Sequence, residues 1–93
     1  MKHIELLKLA AGADAVAVQE KLYKTYQKLD DELDWMNHPV VVRGCGHSDA
    51  DLMVSVELEG EEQLEDFLAQ PRLKKLTDAL GDAVEAKFTF DHY

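Results

Sequence analysis

The chain has 93 residues, 46% of them hydrophobic, and a net charge of −9 from 10 Lys/Arg against 19 Asp/Glu. That length suits one domain spanning 1–93, and so large an apolar share excludes a disordered acidic tail. The acid excess argues against nucleic acid and anionic membrane as partners, since both are bound through Lys and Arg, and no run approaches the ~20 apolar residues of a membrane span. The charge is uneven: the first 46 residues hold six Lys/Arg against seven Asp/Glu, the remaining 47 four against twelve. The single Cys45 forms no internal disulfide and builds no zinc finger. With no signal peptide read at the start, a cytoplasmic domain is the expectation.

Residues 3–9, His-Ile-Glu-Leu-Leu-Lys-Leu, read as a strand that ends at the small residues Ala10-Ala11-Gly12-Ala13. Ile4 and Leu6 share one face of it, and His3, Glu5, Leu7 and Leu9 the other. Apolar groups on both faces suggest a central strand. Asp14 is placed to cap a long helix, in which Ala15, Val18, Leu22, Tyr26, Leu29 and Leu33 recur at spacings of three and four. Lys21, Lys24 and Lys28 fall on the other side of that helix. The acidic run 30–34 puts negative charge at its C-terminus, where the helix dipole disfavours it.

Residues 35–39, Trp-Met-Asn-His-Pro, read as a linker, with Pro39 restricted to the start or edge of a strand. Val40-Val41-Val42-Arg43 is a short strand ended by Gly44-Cys45-Gly46. Residues 52–58 alternate strictly, with Leu52, Val54, Val56 and Leu58 on one face and Met53, Ser55 and Glu57 on the other. After Gly60 a helix opens with Glu61 and Glu62 and buries Leu64, Phe67 and Leu68. Pro71 splits it, and Leu73, Leu76 and Leu80 continue the stripe to a stop at Gly81. Residues 84–91 alternate as a last strand.

The order β-α-β-β-α-β is that of the ferredoxin-like α+β fold, a four-stranded antiparallel sheet with strands one and three at its centre. Helices on one face would cover Ile4, Leu6, Leu52, Val54, Val56, Phe88 and Phe90. The other face would then present His3, Glu5, Leu7, Met53, Ser55, Glu57, Lys87 and Thr89, semi-polar and suited to a second subunit or a ligand. A homodimer is the expectation.

Cys45-Gly46-His47 with Asp49 and Asp51 has the residue types of a metal loop but lacks the separated second ligand pair of a structural zinc site, and a solvated turn is the better reading. No metal site is assigned. RNA-recognition domains need aromatics on the open faces of strands one and three, which are missing from the expected open face. The Cys-x-x-Cys loop of a copper chaperone is absent, and Gly44 and Gly46 open no nucleotide-binding helix. His92 and Tyr93 are read as a fraying end, and the acidic run from Glu57 to Asp66 as a solvated surface.

Three short segments together resemble the stress-responsive A/B barrel (Dabb) family of the dimeric α+β barrel group. The opening Lys2-His3-Ile4-Glu5-Leu6-Leu7-Lys8-Leu9 resembles the family's first strand. Asp66-Phe67-Leu68-Ala69-Gln70-Pro71-Arg72-Leu73 sits where the family often has an aromatic followed by His-Pro-x-His, and Lys87-Phe88-Thr89-Phe90-Asp91-His92-Tyr93 resembles its final strand. The resemblance implies two subunits stacking their sheets into a barrel, with a cavity in each half. One plant member closes a polyketide ring with a His of the His-Pro-x-His segment and a Tyr before it. Here Leu73 and Phe67 stand at those places, and neither moves a proton, so that mechanism does not carry over. His3 alone remains of the polar set facing the cavity in such relatives.

Two functions follow as expectations. The first is a homodimeric protein that binds a small, partly apolar or aromatic molecule between sheet and helices without a bound cofactor, and that as an enzyme would transform it. His3 would be its general base, Glu5 or Glu57 would orient it, and Leu7, Met53 and Trp35 would line the pocket. The second is a non-catalytic structural or regulatory module whose sheet face serves for dimerisation.

Overall fold

The computed structural model describes residues 1–93 as β1 (Lys2–Leu9), α1 (Ala15–Glu32), β2 (Met36–Arg43), β3 (Leu52–Leu58), α2 (Glu61–Leu68), α3 (Pro71–Leu80), a 3-10 turn (Gly81–Ala83) and β4 (Val84–His92). The strands form one antiparallel sheet in the order β2-β3-β1-β4, so β1 and β3 are central as the ferredoxin-like topology requires. Asp14 caps α1, its carboxylate accepting from the backbone N–H groups of Val16 and Ala17. The stripe at three- and four-residue spacing buries Val18, Leu22, Tyr26 and Leu29 against the sheet. Pro71 stands at the start of α3, where its missing N–H takes nothing from the helix. Gly81 ends α3 with φ +49°, in the left-handed region that favours glycine.

The strict alternation of β3 sends Leu52, Val54, Val56 and Leu58 into the core, where they meet Leu7 and Leu9 of β1, Met36 of β2, Phe67 of α2 and Leu76 of α3. β2 begins at Met36, earlier than the linker reading allows. It is an edge strand, and its pairing with β3 shifts register between Asn37 and Val40. Pro39 lies inside that irregularity, next to His38 at φ +52°, so the sheet accommodates a residue with no N–H to donate.

The faces of β1 and β4 are the reverse of the sequence expectation. His3, Glu5 and Leu7 stand opposite Val56, Val54 and Leu52, which puts them on the helix-covered face. Ile4 and Leu6 stand opposite Phe90 and Phe88, and these four lie on the uncovered face. A strand apolar on both sides gives period two nothing to decide with. The decision falls to polar pairing, because His3 and Glu5 are buried together with their partners within reach. The uncovered face is therefore more apolar than expected: Phe88 and Phe90 are 63% and 58% exposed on it, alongside Leu6, Val40 and Val42.

Candidate functional site

The inward face of β1 carries a short polar chain through the core. His3 Nδ1 lies 2.5 Å from Asp91 Oδ1 of β4, and His3 Nε2 lies 2.8 Å from Glu5 Oε2. Ionised carboxylates only accept hydrogen bonds, so an imidazole bonded to one at each nitrogen donates from both and is an imidazolium. Burial opposes that charge, but the bonds to Glu5 and Asp91, and then their negative charge, outweigh it and raise the His3 pKa above its ordinary value. Phe67 closes the chain on the helix side, its ring meeting the His3 ring edge-on at 5.6 Å between centroids.

Glu5 carries the chain to a cavity. Its other oxygen, Oε1, is 3.9 Å from the Lys87 ammonium of β4. Tyr26 of α1 is buried beside it. Burial first, then the Glu5 carboxylate, push the phenol above its usual pKa, so it stays protonated as a donor. The cavity, about 600 Å³, lies between the sheet and the α1–α3 pair. Leu7, Leu22, Leu73, Leu76, Leu80 and Val84 make most of its wall apolar, Glu5, Tyr26 and Lys87 form one polar group, and Gln70, Lys74, Thr77 and Glu85 add further polar lining. Its size is that of a site for a small organic molecule.

Of the residues singled out from sequence, Glu5 and Leu7 line this cavity. His3 sits behind Glu5 rather than on the wall, 2% exposed, and is linked to the cavity through Glu5. Met53 and Glu57 lie on the other face of the sheet, opposite Leu6 and Lys2. They were grouped with His3 because β1 was read with its faces exchanged. Glu57 instead faces His38, at 3.7 Å. Trp35 packs against the core from the turn before β2, its carbonyl accepting from Glu59 N–H, away from the cavity lining.

Two polar members of the site, Tyr26 and Asp91, have no site role in the sequence reading. Tyr26 counts there among the core residues of its helix and Asp91 belongs to a strand that reaches β1 across most of the chain, whereas Lys87 is expected on the face of Glu5 and lies beside it. The pairing of first and last strands in this topology is the signal that would have found Asp91, which registers directly opposite His3. Cys45 is exposed, with its thiol pKa lowered by hydrogen bonds from the His47 backbone and then Ser48. No three His, Cys, Asp or Glu side chains converge in a way that would hold a metal ion. No helix is long and apolar enough to cross a membrane.

No protein-family model matches the sequence, and no curated protein matches it significantly. Solved structures match the fold. A dimeric protein of unknown function and ferredoxin-like fold from Bacteroides fragilis has a TM-score of 0.83 at 15% identity, over 98% of this chain and 92% of that one. At3g17210 from Arabidopsis thaliana gives 0.78 at 16% identity, over 99% and 92% of the two chains. A Dabb family protein with a ferredoxin-like fold from Mesorhizobium loti gives 0.71 at 14% identity, over 99% and 93%. At these identities the likeness is one of fold: the chain has the α+β ferredoxin-like architecture found in dimeric proteins and in a Dabb family protein.

Proposed function

We propose that the chain works as a Dabb-like homodimer in which each protomer binds a small, partly apolar or aromatic molecule between sheet and helices, without a bound cofactor. The observation that carries this reading is the Asp91–His3–Glu5 chain ending on the wall of an otherwise largely apolar cavity. Glu5 offers an acceptor, and Tyr26 and Lys87 offer donors, so the fitting ligand bears a hydroxyl or carbonyl group on an apolar body. His3 bonds to Glu5 Oε2 and fixes the orientation of its carboxyl group. A proton leaving a bound hydroxyl or an acidic carbon would pass to Glu5, which stands as the general base with His3 as its positioning residue.

1-Naphthol is a suitable probe, titrated by fluorescence. Saturable binding is expected, about tenfold or more weaker in Leu73→Trp, which puts an indole into the cavity, and weakened in Glu5→Gln, which removes the charged acceptor. Binding of equal strength in wild type and Leu73→Trp would contradict the reading.

A further inference from the structure

A second concave feature lies on the opposite side of α3. The groove between α1 and α3, about 380 Å³, is lined by Lys21, Lys24, Thr25, Lys28, Arg72 and Lys75, with Leu76 and Ala79 at its base. We propose that this groove is a binding site for a compact oligophosphate, either free or as the phosphate cluster of a larger ester.

Five of the ten Lys and Arg residues of a chain with net charge −9 gather there. No carboxylate lines the groove. The ion pairs of the chain engage His3, Lys8, His38, Arg72 and Lys87, and none reaches Lys21, Lys24, Lys28 or Lys75 despite 19 acidic residues. Lys21, Lys24 and Lys28 follow one another at three- and four-residue spacing on α1, the spacing at which like charges repel along a helix. Arg72 of α3 is bonded through its Nε to Glu32 at the end of α1, which steadies the guanidinium and leaves its terminal N–H groups free. The Thr25 hydroxyl adds a neutral donor among the lysines.

Four lysines without an ion-pair partner, beside an Arg72 held by Glu32, line a small concavity complementary to a dense, compact anion. A nucleic-acid duplex would extend past the groove over the acidic remainder of the surface and be repelled there. An acidic peptide would find Leu76 and Ala79 as its sole apolar footholds, too few for a buried anchor. Leu76 also lines the inner cavity, so the two sites share a wall but open on opposite sides of α3. Occupancy of the groove therefore does not depend on the function proposed for the cavity.

The test is calorimetric titration of the whole protein with inorganic triphosphate. One saturable site per chain is expected, weakening as salt rises from about 50 to about 200 mM. Affinity should fall about tenfold or more in the Lys24→Gln/Lys28→Gln double variant, and also fall in Lys75→Gln, while Arg43→Gln, outside the groove, leaves it unchanged. Circular dichroism confirms that the variants are folded. ATP binding as tightly as triphosphate would assign recognition to the phosphates alone, and tighter ATP binding would assign the site to an ester; both uphold the proposal. It is overturned if triphosphate shows no saturable binding, if the lysine variants bind as wild type does, if citrate binds equally well, or if an oligo-glutamate peptide binds more tightly.

Discussion

His3 holds the interior polar chain together, because it is the one cation between two carboxylates on the covered face of the sheet. Its pKa is raised in the folded protein, so the native state binds this proton more tightly than the unfolded chain does. The stability it contributes is fully present below its unfolded value of 6.5 and is lost as pH rises through the higher folded value. Urea unfolding at about pH 6 and about pH 9 should show the wild type less stable at the higher pH. His3→Ala leaves Glu5 buried without its closest partner and is expected to cost about 3 kcal/mol or more at the lower pH, with a flatter pH response. A variant as stable as wild type, or one with the same pH dependence, would remove His3 from this role. The polar chain also shows where reading the sequence stops. Glu5 and Leu7 were recognisable because they share a face with His3 in one short strand. Asp91 and Tyr26 were not, because β-pairing and helix packing bring them to β1 from distant parts of the chain.

At the scale of elements, local chemistry and tertiary context divide the work. α1 is a locally specified helix: Asp14 satisfies two N–H groups of its first turn, and a regular stripe fixes its inward face. Asp14→Ala should cost about 1 kcal/mol, read as a lower urea midpoint with an unchanged slope. A cost near zero would mean that packing, not the cap, sets the start of the helix. β3 was equally legible, since only one of its faces is apolar. β1 was not. With Ile4 and Leu6 on one side and Leu7 and Leu9 on the other, its pattern is compatible with either orientation, and the paired charges of His3 and Glu5 settle which side is covered. β2 was shortened in the sequence reading because Pro39 reads as a boundary, whereas an edge strand with a register shift takes it inside.

At the scale of the whole molecule, the exchange of faces on β1 and β4 changes what the sheet presents. Polar side chains turned inward serve the cavity, and Ile4, Leu6, Val40, Val42, Phe88 and Phe90 are left together on a surface no helix covers. Exposed aromatic area of this kind is costly in water and is relieved by a second subunit. The cavity lies on the other side of the sheet, so a face-to-face pair of sheets leaves a separate site in each protomer. The topology was expected from sequence; a homodimer was expected as well, through a semi-polar face, whereas the uncovered face is apolar.

Mass in solution, by light scattering on the eluting peak of a size-exclusion column, tests this division of the sheet most directly. Wild type should run at about twice 10.5 kDa and hold that mass at low micromolar concentration. The Phe88→Asp/Phe90→Asp variant should run as a folded monomer, its interior chain and cavity untouched. A wild-type protein that is a stable monomer, or a double variant that remains dimeric, would contradict the pairing of two copies through the uncovered face.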